Sequence, residues 1–329
     1  MTVRYVFFFI IDWVDTHSSD RINDNYTIRL VGNYHGSGCL IFDRYHNTAL
    51  SMEGNGTPAS NSTLINGKGR YPGGPAVPLA VLKVEPFKRY RLRIIAMSCN
   101  PDFTFSIDGH ELLIIEADGE NTEPLLVDSI QIFAGQRYSA VLFTDKPIGN
   151  YWVRAEPSAS RGPTGFEGGI NSAVLRYMGA PERDPETVMG ASTRPLREMD
   201  LSPLGCGKFA PGLPWPRGVD VVLSLVHEFD TSSSRYKMNC VSWTAPSTPV
   251  LLQILSGVRA GQDLLPKGSI YPLPPNKVIE ISFPGSGKGT VRGYLLSFIS
   301  FNLDFLGIQH PFHLHGERRS LFQNVLHLF

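Results

Sequence analysis

The chain has 329 residues, of which 42% are hydrophobic and 18% charged, so it is long enough to bury the cores of two globular domains. Lys and Arg together number 30, as do Asp and Glu, and this balance argues against a nucleic-acid-binding surface. Gly (32) and Pro (25) are frequent and long helical periodicity is absent, which predicts an all-β protein of short strands joined by turns.

Residues 1–44 are predicted to be an irregular N-terminal region that holds one strand-like segment, NYTIRLVG, and an insert from Asn33 to Arg44. The apolar run from Tyr5 to Ile11 is followed by an aspartate and no small-residue cleavage site, so it is not a convincing signal peptide. The run is also too short to cross a bilayer, and no membrane association is expected.

The sequons bear on the compartment of the protein, whereas the cysteines do not fix it. Three sequons lie in polar, loop-like sequence and suit a secreted glycoprotein, with glycosylation candidates at Asn25, Asn55 and Asn61. The four cysteines lack any CxxC spacing, which excludes a zinc ribbon and a thioredoxin motif.

Residues 45–180 alternate apolar and polar positions from about Pro78 onward, with turn signals at DGH, ADGEN and KPIGN. Strands at this spacing predict a β-sandwich or Greek-key barrel. The DGH triplet is interpreted as a hairpin turn, and Glu116 and Asp118 as solvated carboxylates that flank a turn.

Residues 181–217 are dense in Pro, Gly and charge without periodicity, which predicts a surface linker. A second strand-rich unit, 218–316, includes TPVLLQILSG as a strand, and its apolar run 289–309 fits either a buried helix or a pair of strands. FPGSGKGT resembles a phosphate-binding loop, but Ser282 replaces the first glycine and the surrounding α/β pattern is missing. Residues 317–329 form an unrelated tail.

The run HPFHLHG places His310, His313 and His315 within six residues. On an extended strand His313 and His315 point to one face and His310 to the other, and Pro311 suits a strand edge. Imidazole ligands without a neighbouring carboxylate favour copper or zinc. The alternatives are three surface or packing histidines or a cupin site, although Glu317 follows too closely for the cupin spacing.

HPFHLHG, together with EADGENTEPLLVDSIQIFAGQRYSAVL, GGINSAVLRY and STPVLLQILSG, closely resembles the fungal laccases, which are multicopper oxidases. The resemblance implies an all-β fold of tandem cupredoxin-like (plastocyanin-like) Greek-key β-barrels. This chain resembles the second barrel and part of the third, so the last barrel is incomplete. It also implies a secreted enzyme of lignin degradation.

By the same resemblance, four copper ions oxidise phenolic small molecules by single electrons and reduce dioxygen to water. His310 matches the type 1 ligand, His313 the type 2 ligand and His315 a type 3 ligand, while Asn100 and Trp243 match substrate-binding positions. The HWHG, HSH and HCH motifs of the family do not occur here. The chain alone is therefore expected to be inactive, and the alternative is a copper-free interaction or structural fragment. The abrupt edges of the inserts and tail fit unspliced introns or a frameshift.

Overall fold

The structure is a computed structural model. It describes residues 24–33, 62–97, 102–157, 162–202, 204, 220–230, 232, 235–242, 247–265, 268, 270–272, 279–284, 290–294, 301–305 and 308–312.

The described elements are strands, two short α-helices and two single-turn 3-10 helices, Glu167–Gly169 and Glu198–Asp200. The strands are β1 (Asp24–Asn33), β2 (Ser62–Ile65), β3 (Val81–Val84), β4 (Arg89–Ala96), β5 (Phe103–Ile107), β6 (Leu112–Ala117), β7 (Glu120–Val127), β8 (Ser129–Ile132), β9 (Arg137–Phe143), β10 (Asn150–Pro157), β11 (Ser172–Tyr177), β12 (Val221–Ser224), β13 (His227–Asp230), β14 (Arg235–Met238), β15 (Ile279–Pro284), β16 (Thr290–Tyr294), β17 (Phe301–Phe305) and β18 (Ile308–Phe312). The α-helices are α1 (Val250–Leu255) and α2 (Gly261–Leu264).

The first eleven strands form a two-sheet sandwich. One sheet has the order β2-β1-β4-β9-β6-β7 and the other β3-β11-β10-β5-β8. Ile28 and Ile94 from the first sheet and Phe105, Val153 and Leu175 from the second belong to one buried apolar cluster. Because inward residues of both sheets share this core, the predicted all-β class is confirmed.

Local sequence explains the strand positions and the turns between them. In β4 the burial pattern alternates over its first six residues, as the period of two in the sequence predicts. Asp118 and Gly119 join β6 to β7, and both have positive φ, +48° and +91°. This geometry suits a two-residue type I′ turn, for which Asp-Gly is a preferred pair.

Strand β1 extends the first sheet beyond the predicted domain start at residue 45. It pairs in parallel with β4, with Asp24 opposite Tyr90 and Leu30 opposite Ala96. Ile28 and Leu30 are fully buried in the core. The strand-like segment of the N-terminal region is therefore part of the sandwich, because its alternate apolar residues fill that core.

The predicted linker is anchored to the sandwich over residues 181–202, which we call the strap. Leu196 and Leu201 are buried in the apolar cluster, and the backbone N–H of Leu196 donates to the Ser129 carbonyl at 2.8 Å. The carboxylate of Asp128 accepts hydrogen bonds from the Ser192 hydroxyl and from three donors of residues 193 and 194. Tertiary contacts thus hold a segment that has no strand periodicity.

The second strand-rich region contains separate small sheets. Strand β12 pairs in parallel with β15, which pairs antiparallel with β16, and β13 and β14 form a hairpin. The prediction of a strand for TPVLLQILSG is wrong, because Val250–Leu255 forms helix α1. Gly257, with φ +102°, ends that helix, and the N–H groups of Gly257 and Val258 donate to Ile254 and Gln253 carbonyls. This is a Schellman cap, a helix-ending signal that the periodicity of a short apolar run does not reveal.

The apolar run 289–309 forms strands where the structure describes it, namely β16, β17 and the start of β18. A phosphate-binding loop leads into a helix, whereas here β15 pairs with β16 as far as Pro284 opposite Thr290. The strand that follows the glycine-rich segment contradicts the nucleotide-binding alternative. Among the helices described, none is long and apolar enough to cross a membrane.

Candidate functional site

The histidine motif begins on a β-hairpin. Strands β17 and β18 pair antiparallel, with Leu303 opposite His310 and Asn302 opposite Pro311. Within the described residues this sheet has two strands, so both are edge strands. Within the described residues Pro311 thus lies on an edge strand, which tolerates a residue that lacks a backbone donor. His310 lies on β18, and the opposite facing of the three histidines stays a prediction, because His313 and His315 lie outside the described residues.

The other predicted site residues are only partly described. Asn25 lies in strand β1, opposite Arg91, whereas its sequon was predicted to lie in a loop. Several predictions fall outside the described residues: His313, His315, Asn100, Trp243, Asn55 and Asn61, together with the insert after residue 33 and the tail 317–329.

The described residues do not assemble a metal-binding set. No group of three or more His, Cys, Asp or Glu side chains that could hold a metal ion occurs among them. The chemistry of the HPFHLH donors suits copper or zinc. The structure describes the backbone of one of these donors, His310, and the copper ligand set stays a prediction.

A second polar cluster lies in the sandwich, around a buried histidine, His110, in the turn between β5 and β6. His110 Nδ1 lies 2.8 Å from the Asp108 carbonyl oxygen, and Nε2 lies 2.7 Å from the Tyr177 hydroxyl. A carbonyl can only accept, so Nδ1 carries the proton and Nε2 accepts the hydrogen bond of the phenol. The hydrogen-bond pattern thereby assigns the tautomer.

Burial keeps both partners of this hydrogen bond uncharged. Desolvation lowers the pKa of His110, which outweighs the hydrogen bond to the Asp108 carbonyl. Desolvation also raises the pKa of Tyr177 to about 12. At neutral pH the pair is therefore a phenol that donates to a neutral imidazole. We call Tyr177 and His110 the phenol–imidazole pair.

Tyr151 connects this pair to the protein surface. Its ring centroid lies 4.8 Å from that of His110, edge to face, and 5.4 Å from that of Tyr177. The Tyr151 hydroxyl donates to the Pro147 carbonyl at 2.7 Å. Tyr151 is half-buried, whereas Tyr177 is fully buried. Three aromatic rings in mutual contact thus run from the core to solvent.

A buried ion pair holds the turn that carries His110. Arg154 on β10 donates to both carboxylate oxygens of Asp108 at 2.7 Å, and the two side chains are 6% and 2% exposed. The Thr187 hydroxyl, from the strap, donates to the same carboxylate at 2.7 Å. Bidentate pairing fixes the carboxylate in one orientation. The Arg154 guanidinium also lies 4.5 Å from the centroid of the Phe166 ring.

The sequence analysis predicted the turn at Asp108–His110 correctly but did not predict the contacts of its side chains. The backbone N–H of His110 donates to the Ile107 carbonyl, which closes the predicted turn. The partners of Asp108 and His110, however, lie on β10, β11 and the strap, distant along the chain, and no local pattern indicates them.

The interpretation of two acidic residues as solvated loop carboxylates is wrong. Glu116 lies in β6, where it forms an ion pair with Arg91 and accepts a hydrogen bond from Ser139 at 2.7 Å. Asp118 is buried and accepts a hydrogen bond from the backbone N–H of Arg137 at 2.8 Å. Both carboxylates bind side chains and backbone of neighbouring strands, and they therefore stabilise the sheet.

Comparison with solved structures supports the fold. A crystal structure of Fet3p, a multicopper oxidase that functions in iron import, has a TM-score of 0.61 at 17% identity, covering 95% of this chain and 59% of that one. The laccase from Botrytis aclada has a TM-score of 0.55 at 21% identity, covering 80% and 48%. These similarities confirm a cupredoxin-like architecture.

Sequence comparison gives the family. Laccase-2 of Pleurotus ostreatus is 52% identical over 274 residues, which cover 83% of this chain and 47% of that protein. Laccase-4 of Trametes villosa is 50% identical over 281 residues, which cover 85% and 50%. The chain thus spans about half the length of the curated relatives that it matches. Family models for multicopper oxidases match residues 24–180 and 243–324. The chain, which resembles fungal laccases, therefore belongs to the multicopper oxidase family.

Proposed function

We propose that this chain is part of a laccase-type oxidase that removes single electrons from phenolic substrates and passes them to dioxygen. The observation that carries the proposal is the HPFHLHG run, which begins on edge strand β18 and stands in a chain about half identical to fungal laccases. Copper, when bound, supplies the one-electron redox chemistry. An extracellular location and glycosylation at Asn25, Asn55 and Asn61 belong to the same proposal.

The residues have separate roles in this proposal. His310 serves the type 1 ion, while His313 and His315 serve the cluster that reduces dioxygen, as expected from their opposite faces on a strand. Asn100 accepts a hydrogen bond from the phenol or donates one to it, and Trp243 lines the substrate pocket. Asn cannot act as a carboxylate base, so a proton released from the phenol needs another acceptor.

We further propose that the 329-residue chain is inactive by itself. Each copper centre retains one recognisable ligand in the sequence, and a metal held by one imidazole lacks the geometry and surrounding shell that tune its redox potential. A longer protein that supplies HWHG, HSH and HCH motifs is the active species in this proposal. Reading the coding DNA on both sides for those motifs tests it directly.

A copper titration followed by electron paramagnetic resonance distinguishes the possibilities in the purified chain. We expect weak Cu(II) binding with nitrogen hyperfine coupling, no blue thiolate-to-copper absorption, and no oxygen uptake with a phenol. Replacing the three motif histidines with alanine should abolish the binding, whereas His227→Ala, at a histidine outside the motif, should not change it. Blue absorption together with phenol-dependent oxygen uptake would refute inactivity. A folded chain that binds no copper would favour the copper-free fragment.

A further inference from the structure

We infer that Tyr177, His110 and Tyr151 form a redox site in which Tyr177 gives up one electron while His110 accepts its proton. This inference concerns the sandwich alone and needs no copper. The oxidants that it serves are organic peroxyl radicals, which form where carbon-centred radicals meet dioxygen. The site protects the core by directing oxidation to one phenol.

The geometry of the phenol–imidazole pair meets the main requirement for tyrosine oxidation. Loss of an electron makes a phenol strongly acidic, so its proton needs an acceptor already within hydrogen-bond distance. His110 Nε2 lies 2.7 Å from the Tyr177 oxygen, and the Asp108 carbonyl at 2.8 Å from Nδ1 holds the imidazole in the accepting tautomer. The bidentate Arg154 contact fixes Asp108 in turn.

The position of Tyr151 gives the electron a route to solvent. Tyr177 is fully buried, so a radical in solution cannot touch it. Tyr151 is half-buried and its ring centroid lies 5.4 Å from that of Tyr177. Its hydroxyl donates to a backbone carbonyl, which is not a base, so an oxidised Tyr151 has no proton acceptor in that hydrogen bond. The electron vacancy therefore moves inward to Tyr177, the tyrosine that has a proton acceptor.

The step balances in atoms and electrons. The O–H bond of Tyr177 breaks, an N–H bond forms at Nε2 of His110, and one electron passes through Tyr151 to the peroxyl radical. That radical takes one proton from water and leaves as a hydroperoxide. A neutral tyrosyl radical, an imidazolium and the hydroxide from that water remain. A phenol in solution then gives one electron to the tyrosyl radical, and the proton returns from His110 to Tyr177. The phenol gives its own proton to the hydroxide and leaves as a phenoxyl radical.

Photogenerated tris(bipyridine)ruthenium(III) is the probe oxidant, applied to the full 329-residue chain and followed by transient absorption and electron paramagnetic resonance. We expect a long-lived neutral tyrosyl radical whose formation slows in heavy water. Tyr177→Phe should remove this long-lived signal. His110→Gln keeps an amide acceptor without a base and should slow its formation at least ten-fold. Tyr151→Phe should slow it as well.

Tyr26→Phe is the matched control, because the Tyr26 hydroxyl donates to the Lys83 carbonyl and its ring contacts the Tyr90 ring. It should leave the long-lived signal unchanged. Circular dichroism confirms the fold of each variant, and if Tyr177→Phe does not fold, the rate in His110→Gln decides. An unchanged signal in Tyr177→Phe, or an unchanged rate in His110→Gln, would overturn the inference. Because copper and substrate are absent from the assay, that result would leave the proposed oxidase function untouched.

Discussion

Removing the guanidinium of Arg154 should strongly destabilise the sandwich. Arg154→Leu eliminates two charge-assisted hydrogen bonds of 2.7 Å to Asp108 and leaves that carboxylate buried with the Thr187 hydroxyl as its remaining side-chain donor. Each such bond is worth about 1.5–3 kcal/mol, and breaking a buried pair from one side costs about 3–5 kcal/mol. We expect a loss of about 3–5 kcal/mol in the free energy of unfolding.

Urea unfolding, monitored by tryptophan fluorescence and circular dichroism, measures this loss, with the slope on urea checked for two-state behaviour. The double variant Arg154→Leu/Asp108→Asn should recover at least about 1.5 kcal/mol, because a buried neutral amide costs less than a buried unpaired carboxylate. The control Arg183→Leu removes an exposed ion pair with Glu186 and should not measurably change the midpoint. If the double variant is no more stable than Arg154→Leu, the unpaired carboxylate is not the cause.

Three further predictions concern the strap and a neighbouring loop. Leu196→Ala should cost about 2–5 kcal/mol in urea unfolding and speed proteolysis of the strap, whereas Val188→Ala, at an 86% exposed position, should do neither. Gly169→Ala should lower the free energy of unfolding more than Gly165→Ala, although both glycines have positive φ. A Cβ at residue 169 would lie 2.7 Å from a guanidinium nitrogen of Arg70, whereas a Cβ at residue 165 would meet nothing within 4 Å. Partial burial raises the pKa of Asp128, but hydrogen bonds from the strap lower it overall. The pKa of Asp128 is lower in the folded than in the unfolded state, so the stability that this carboxylate contributes is complete above about pH 4 and is lost as the pH falls further. We therefore expect proteolysis of the strap to speed up between pH 5 and pH 3, and the cleavage rate measures this.

The sandwich was predictable from the sequence because its signals are local. Alternation in β4 and the Asp-Gly pair between β6 and β7 are read from neighbouring residues, and each leads to the observed element. Helix α1 was not predictable in this way, because a six-residue run with five apolar residues fits a strand as well as a helix. Only the Schellman cap at Gly257, which depends on backbone conformation, distinguishes them.

The side-chain chemistry of the sandwich was less accessible from the sequence. His110 has no neighbouring histidine or cysteine, so no metal or catalytic spacing draws attention to it. Its partner Tyr177 lies 67 residues away, and Thr187 lies 79 residues from Asp108. The strand order β11-β10-β5, together with the strap, brings these residues together. A pattern within one segment cannot contain such contacts.

Among the described residues, the sandwich and residues 220–272 differ in burial, and this difference bears on the proposed copper chemistry. The sandwich encloses an apolar core sealed by the strap. In residues 220–272, by contrast, no residue whose burial the structure describes is buried, and Leu251 and Leu255 of α1 are 66% and 74% exposed. A metal centre needs ligands held rigidly by packed neighbours. Along the chain, the HPFHLHG motif follows this exposed region rather than the sandwich. Under the proposed function, this exposure is a further reason to expect no oxidase activity from the 329-residue chain by itself.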